Sequence, residues 1–189
     1  MKMNDTEHIS QKIQLGETFS YNIMIIGFMG TGKSTIAKCL SEILSMEEVE
    51  MDQHIAEKEG MSINQIFEES GEEYFRNCES NTLIEFNSKK GLIISCGGGV
   101  VLREENISHM KNQGKIILLS ATPETIYERV KDNTERPILR NNMNIEFIAN
   151  LLEQRIDRYI EAADIIINTD NKTIEEITDE ILRKLSNMI

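Results

Sequence analysis

The sequence has no long hydrophobic run. None of its apolar stretches approaches the roughly 18 residues that a membrane-spanning helix needs. The first residues, MKMNDTEHISQKIQ, contain no apolar segment of the kind that a secretory signal requires. We therefore expect a cytoplasmic protein with no membrane partner.

Cysteine is scarce and its spacing predicts no pairing. The number of cysteines is odd, and none of them lies in a C-x-x-C pair (Cys39, Cys78 and Cys96). This pattern indicates reduced thiols, which pack as small apolar side chains. The three histidines are scattered and form no metal-ligand pattern (His8, His54 and His109).

Positive charge is also scarce, since 20 lysines and arginines face 32 aspartates and glutamates, for a net charge of −12. Such a surface repels nucleic acid, and no basic tract overrides the repulsion. We expect no nucleic-acid partner. An anionic ligand would depend on a few well-placed arginines, so the position of each arginine is informative.

One segment carries a strong ligand signature. The apolar residues 23–26 predict a buried strand, and residues 27–34 (GFMGTGKS) then match the phosphate-loop spacing G-x-x-x-x-G-K-[ST]. Glycines let backbone N–H groups curl around an anion, and the next helix adds its positive dipole end. A plain glycine turn is the alternative, but a strand before and a helix after favour ATP binding by Gly30, Thr31, Gly32, Lys33, Ser34 and Thr35.

Apolar runs alternate with amphipathic helical patterns over the rest of the chain. Further strands are predicted at residues 47–51, 92–96, 115–120 and 164–168. A single long helix is predicted at residues 145–159, and Gly71 should interrupt the helix that begins after Ser62. This alternation is typical of an α/β fold, a parallel sheet with helices on both faces and ligands at the carboxyl ends of its strands.

We expect one domain from residue 21 to residue 189, with residues 1–20 as an extension. Within it, about residues 52–86 should bind the substrate. The polar, proline-broken residues 132–144 lie beside the phosphate site and are typical of a lid.

Several separated motifs together resemble the shikimate kinase family. They are GFMGTGKST at residues 27–35, Asp52, EEYFR at 72–76, CGGG at 96–99 and RPIL at 136–139. The resemblance implies a three-layer P-loop kinase fold with five parallel strands. It also implies Mg²⁺-dependent transfer of phosphate from ATP to the 3-hydroxyl of shikimate. We expect a monomer.

The resemblance assigns the acceptor site to Asp52, Arg76 and Arg155. Asp52 would hold the substrate hydroxyls and act as the candidate base, although it could instead only cap its helix. Arg76, and Arg155 on the long helix, would bind the carboxylate, although either could be an exposed helix ion pair. Three glycines after a strand (Gly97, Gly98 and Gly99) allow close backbone approach to a ligand, with Gly98 the favoured contact, where a plain turn is the alternative.

The resemblance also assigns the charges around the phosphates. Arg136, in the predicted lid, would join Lys33 and Asp52 in the catalytic set, and Arg129 would lie near the adenine. Ser34 would bind magnesium. Glu50 stands where relatives usually have an aspartate, and its longer carboxylate could reach the ion through water. The loop at residues 169–172 lacks the arginine of many relatives, so we predict no site there.

Two other functions fit parts of the pattern. A P-loop kinase for another hydroxy acid, such as gluconate, or for a nucleotide would share the phosphate loop. A GTP-dependent switch would need Asn-Lys-x-Asp, whereas residues 171–174 read NKTI.

Overall fold

The computed structural model describes residues 19–131 and 144–188, and these form a five-stranded parallel sheet. The strands are β1 (Asn22–Ile26), β2 (Glu47–Glu50), β3 (Leu92–Ser95), β4 (Gly114–Ser120) and β5 (Ile165–Asn168). Their spatial order is β2-β3-β1-β4-β5, so the strand that precedes the phosphate loop is central. All five predicted strands are confirmed.

Eight α-helices occur in the described residues. They are α1 (Lys33–Leu44), α2 (Met51–Glu59), α3 (Ile63–Phe86), α4 (Glu104–Gln113), α5 (Pro123–Val130), α6 (Ile145–Glu153), α7 (Ile156–Ala162) and α8 (Ile174–Ser186). None of them is long and apolar enough to cross a membrane.

The central strand is apolar throughout because helices cover both faces of the sheet. Met24 and Ile26 pack in one cluster with side chains of α2, α3, α4 and α7. Ile23 and Ile25 point the other way, into a cluster with α1 and α8. A strand buried on both faces reads as a continuous apolar run. The predicted three-layer α/β fold is confirmed.

Pairing of the strands brings their carboxyl ends to one edge. Ile25 is opposite Ser95, and Ser95 is opposite Glu50 on the far side of β3. The segments after β1, β2 and β3 therefore start side by side. These segments carry the phosphate loop, Asp52 and the triple glycine.

The predicted long helix over residues 145–159 is wrong, because α6 and α7 are separate helices. Arg155, at the N-cap of α7, has φ −117° and ψ −16°, and its N–H donates to Leu152 O at 3.0 Å, one residue short of the α-helical partner. Neither glycine nor proline marks the break, so the apolar spacing runs through it.

Local signals in two other helices are confirmed. Ser62 and Gln65 form a capping box at the start of α3. Gly71 has φ 81° and interrupts α3, so the half of the helix after Gly71 takes its own direction. The predicted lid at residues 132–144 lies outside the described residues except for Asn144, whose side chain accepts from Phe147 N–H at 2.8 Å and caps α6.

Candidate active site

The phosphate loop connects β1 to α1 and needs two of its glycines for steric reasons. At Gly27 (φ +143°) a Cβ would lie 2.3 Å from the Leu119 carbonyl oxygen. At Gly30 (φ +77°) it would lie 2.7 Å from Val130 Cγ1. Both positions combine a left-handed backbone with close packing, which only glycine accommodates.

Contacts inside the loop hold it in shape. The Phe28 carbonyl accepts from Thr31 Oγ1 at 2.7 Å and from Lys33 Nζ at 3.1 Å. Lys33 therefore folds back over the loop. Ser34 and Thr35 are exposed in the first turn of α1, whose free N–H groups favour an anion.

Arg129, on α5, links the loop to the segment that follows β5. Its guanidinium donates to Gly30 O at 3.2 Å, to Thr169 Oγ1 at 3.0 Å and to Thr169 O at 2.9 Å. The sequence predicted no site after β5. Thr169 nevertheless contacts an arginine that also contacts the phosphate loop, and no sequence motif indicated this.

Two carboxylates converge on Gly97. An ideal Cβ there would lie 2.7 Å from Glu79 Oε1 and 2.8 Å from Asp52 Oδ1. Asp52 lies in the first turn of α2, and the residue at the cap position is Glu50, so the reading of Asp52 as a helix cap is wrong. Its carboxylate instead faces the triple glycine.

Arg76 is buried beside these carboxylates. Its side chain is 8% exposed and pairs through Nη1 with Glu79 Oε2 at 2.5 Å and through Nη2 with Glu72 Oε1 at 2.9 Å. A Cβ on Gly99 would lie 2.1 Å from Arg76 Nη1. Reading Arg76 as an exposed helix ion pair is therefore wrong, since the guanidinium packs against the triple glycine.

Glu79 is a site residue that sequence reasoning missed. It is fully buried, and burial raises the pKa of its carboxyl to about 7, with Arg76 lowering it and Asp52 raising it. Its Oε1 has no hydrogen-bond partner among the described residues. The available signal was a glutamate on the apolar stripe of α3, three residues after Arg76.

Arg155 and Tyr159 both contact Gly98, the middle residue of the triple glycine. Arg155 Nη1 donates to Gly98 O at 3.4 Å, and its guanidinium lies 5.8 Å from the centre of the Phe28 ring. The hydroxyl of Tyr159 also donates to Gly98 O. Arg155 thus stands at the junction of α6 and α7 rather than within a long helix. Tyr159 was read from the sequence only as a core residue.

Cys96 directly follows β3 and is buried close enough to Glu79 and Lys33 to be affected by their charges. Burial raises the pKa of its thiol; the charge of Glu79 raises the pKa further, and Lys33 opposes it. The thiol stays neutral, which makes it a poor nucleophile. The interpretation of Cys96 as core filler is confirmed, and Cys39 and Cys78 are free thiols as predicted.

Glu50 is the candidate for a metal contact. Its Oε1 is buried, with no hydrogen-bond partner among the described residues, and such an oxygen suits a hard cation or a water bound to it. No group of three or more histidine, cysteine, aspartate or glutamate side chains that could hold a metal occurs in the described part of the chain. The Glu50 carboxylate and the exposed Ser34 hydroxyl are oxygen groups of the kind that suit a hard cation which also binds phosphate. Arg136 lies outside the described residues.

A phosphate loop after the central strand of a parallel sheet, followed by an acidic side chain and a buried arginine at the same edge, defines a P-loop kinase. A family model described as shikimate kinase matches residues 29–186, and the chain belongs to the shikimate kinase family. It is a kinase.

Relatives and solved structures agree with this assignment. A shikimate kinase from Dehalococcoides mccartyi is 43% identical over 169 residues, which are 88% of this chain and 96% of the relative. The structure of Acinetobacter baumannii shikimate kinase in complex with shikimate superimposes with a TM-score of 0.87 at 32% identity, covering 94% of this chain and 99% of that one. A gluconokinase from Sinorhizobium meliloti 1021 shares only the fold, with a TM-score of 0.57 at 14% identity over 91% of this chain and 95% of that one.

Proposed function

We propose that this chain transfers the γ-phosphoryl group of ATP to the 3-hydroxyl of shikimate, giving shikimate 3-phosphate and ADP. Membership of the shikimate kinase family supports the reaction. The observation that carries the proposal is that Asp52 and the buried Arg76 face two glycines of the same triple, Gly97 and Gly99, beside the phosphate loop.

Arg76 and Arg155 are the proposed carboxylate-binding residues. A planar guanidinium binds a carboxylate through two parallel hydrogen bonds, and a buried one is already fixed in direction. Arg76 is held by Glu72 and Glu79, and Arg155 contacts Gly98. With the carboxylate held there, the hydroxyls of the ring would contact Asp52 and the backbone of Gly97, Gly98 and Gly99.

The proposed donor site is formed by the phosphate loop and three cationic side chains. Backbone N–H groups of Gly30, Thr31, Gly32, Ser34 and Thr35 would bind phosphate oxygens together with Lys33. Arg129 already contacts Gly30, and we place the nucleotide base beside it. Arg136 would stabilise charge on the transferring group.

In the proposed reaction, the acceptor oxygen forms a bond to the γ-phosphorus while the bond from that phosphorus to the bridging oxygen breaks. The hydroxyl proton passes to Asp52, whose carboxylate faces the triple glycine. ADP leaves with the bridging electrons, and Lys33 and Arg136 stabilise the charge that develops there. Such a transfer depends mainly on positioning and electrostatics.

We propose Ser34 as the magnesium ligand, with Glu50 contacting the ion through water. The ion, when bound, would neutralise charge on the phosphates. The exposed Ser34 hydroxyl and the buried Glu50 oxygen support this choice. Turnover should therefore stop in EDTA and return when excess Mg²⁺ is added.

We propose that the chain acts as a cytoplasmic monomer, with shikimate and ATP as its partners and no nucleic acid. The three free cysteines support a reducing compartment. The net charge of −12 supports the absence of a nucleic-acid partner. Sedimentation at assay concentration tests the oligomeric state.

A coupled ADP-release assay tests the function. We expect turnover with shikimate and ATP, none with the methyl ester of shikimate at the same concentration, and none with gluconate. The ester keeps every hydroxyl, so it isolates the role of the carboxylate. Folded protein that fails to turn over shikimate would overturn the proposal, and turnover of gluconate would favour the alternative kinase. Preference for GTP over ATP would favour the switch.

A further inference from the structure

The carbonyl of Gly98 accepts hydrogen bonds from two side chains of one short segment. The Tyr159 hydroxyl and Arg155 Nη1 both donate to it, the latter at 3.4 Å. Tyr159 is 1% exposed, so its phenol has no access to bulk water as an alternative partner. A buried donor is costly to leave unpaired, and this one has its partner in the middle of the triple glycine.

Gly98 also packs against the phosphate loop. An ideal Cβ at Gly98 would lie 3.6 Å from Gly27 O, 3.7 Å from Met29 N and 3.8 Å from the Tyr159 hydroxyl oxygen. Gly98 therefore contacts both the phosphate loop and the Tyr159 hydroxyl. A shift of this peptide would alter the distance from the acceptor side of the site to the donor side.

The phosphate loop does not depend on Tyr159 for its own shape. Thr31 and Lys33 both donate to the Phe28 carbonyl, and Gly30 packs against Val130 of α5. Loss of the tyrosine hydroxyl should therefore affect the triple glycine and Arg155 before it affects nucleotide binding.

We propose that Tyr159 is a positioning residue for the acceptor: its hydroxyl holds the Gly98 carbonyl, and thereby fixes the Gly98 backbone and the Arg155 guanidinium in the geometry that receives shikimate. This proposal rests on the proposed function. Burial raises the pKa of Tyr159 to about 12, while Arg155 and Arg76 lower it and Glu79 raises it, so the phenol remains a donor at neutral pH.

The test is a comparison of Tyr159→Phe with Tyr21→Phe. Loss of one buried hydrogen bond corresponds to about a 5- to 20-fold rise in KM for shikimate, and KM for ATP should stay within about twofold. Tyr21 is the matched control, because its buried hydroxyl has no hydrogen-bond partner among the described residues. Tyr21→Phe should leave both KM values unchanged.

A purely structural role would give a different result. Tyr159→Phe would then lower Tm while both KM values stayed the same or rose together, and either outcome overturns the proposal. The wild-type chain is assayed first. If it does not turn over shikimate, the proposed function itself is wrong; if it does, the variants test the role of Tyr159 separately.

A second variant keeps the test open if Tyr159→Phe does not fold. Replacing Tyr159 by 3,5-difluorotyrosine preserves the ring and the hydroxyl but lowers the pKa of the phenol. KM for shikimate should then rise with pH in this variant and not in the wild type, because an ionised phenol cannot donate to Gly98. A pH profile identical to that of the wild type would overturn the proposal.

Discussion

Arg76 and Arg158 each pair with two glutamates, but Arg76 is buried and Arg158 is exposed. The side chain of Arg76 is 8% exposed, whereas that of Arg158 is 44% exposed and pairs with Glu104 and Glu161. Exposed ion pairs of the second kind contribute little to stability. A buried guanidinium has lost its rotamer freedom during folding, so it can bind an anion without a further loss of entropy.

Replacement of Arg76 by lysine should therefore impair acceptor binding even though the charge remains. Lysine has no planar fork and is strongly hydrated, so we expect KM for shikimate to rise about 10- to 100-fold for Arg76→Lys. Arg158→Lys is the matched control and should behave as the wild type in the same steady-state assay. Equal effects of the two substitutions would contradict the assignment of Arg76.

Asp52→Asn tests the proposed base separately from binding. The amide keeps the size of the side chain but cannot take a proton, so we expect kcat to fall by about 10²- to 10⁴-fold. The affinity for ATP, measured by equilibrium titration, should stay within about twofold because the phosphate loop is held by its own contacts. A comparable loss of ATP binding would mean that Asp52 acts through folding.

The raised pKa of Glu79 predicts that the stability of the fold depends on pH. Burial raises the pKa of this carboxyl from 4.5 to about 7, so the folded state favours its protonated form. The stability that this group contributes is fully present below pH 4.5 and is lost as the pH rises through about 7. The full titration corresponds to about 3 kcal/mol. Glu79→Gln cannot titrate at this position.

Urea unfolding of the wild type and Glu79→Gln at several pH values measures the effect. The free energy of unfolding of the wild type minus that of Glu79→Gln should decrease between pH 5 and pH 8. Taking this difference at each pH cancels groups common to both proteins, such as Asp170, whose pKa is shifted the other way. A difference that does not change with pH would show that Arg76 keeps Glu79 ionised throughout.

At the scale of elements, Gly99, in the segment after β3, and Gly114, at the start of β4, are required for different reasons. A Cβ at Gly99 would meet the end of the Arg76 side chain, 2.1 Å away, which can move. A Cβ at Gly114, the first residue of β4, would lie 1.8 Å from the backbone oxygen of Asn22 in β1, which cannot move without disrupting the sheet.

Gly99→Ala should therefore affect mainly substrate binding, and Gly114→Ala should affect mainly the stability of the fold. Gly99→Ala should raise KM for shikimate, since it displaces the guanidinium, and should lower Tm less than Gly114→Ala does, since a side chain moves and not the backbone of a strand. Gly114→Ala should destabilise the fold by several kcal/mol, about the size of the largest effects of single substitutions. Thermal unfolding and steady-state kinetics of both variants check this. A large loss of Tm in Gly99→Ala would assign the triple glycine to folding.

The elements also show why part of the fold could be predicted from sequence and part could not. The strands β1, β3 and β4 are apolar runs because both faces are covered, and the phosphate loop has a spacing that its ligand dictates. The break at Arg155 leaves no such trace, because no glycine or proline is needed for its negative φ.

The site was only partly predictable for a related reason. Motif spacing pointed to Asp52, Arg76 and the triple glycine, which all lie at the carboxyl edge. The hydrogen bond of Tyr159 joins it to Gly98, which is far away in the sequence. Glu79 is a polar residue buried on a helix face that is otherwise mostly apolar. Periodicity reads both of them as core positions.

At the scale of the whole molecule, the strand order separates the two halves of the proposed reaction. Asp52 and the triple glycine follow β2 and β3 on one side of β1, whereas Arg129 and Thr169 belong to segments that follow β4 and β5 on the other. The phosphate loop after β1 lies between them. A parallel sheet thus brings acceptor and donor groups to the same edge without any of them sharing an element.

The start of the folded core can be located from Phe19 and Tyr21. Phe19 is 8% exposed and its ring centre lies 5.3 Å from that of Tyr21, both packed with the cluster that contains Ile23 and Ile25. The sequence predicted that residues 1–20 form an extension outside the domain, which could then be removed without loss of activity. Since Phe19 belongs to the core, we now expect the dispensable segment to end at residue 18.

Two truncations test this boundary. Removal of residues 2–18 should leave Tm and both KM values unchanged, because the aromatic pair and the proposed site are retained. Removal of residues 2–21 also deletes Phe19 and Tyr21, and the lost burial should destabilise the fold by about 3–5 kcal/mol. Loss of activity in the shorter truncation, with Tm unchanged, would mean that residues 2–18 contribute to catalysis. Equal Tm values for both truncations would instead show that the aromatic pair packs on the core without stabilising it.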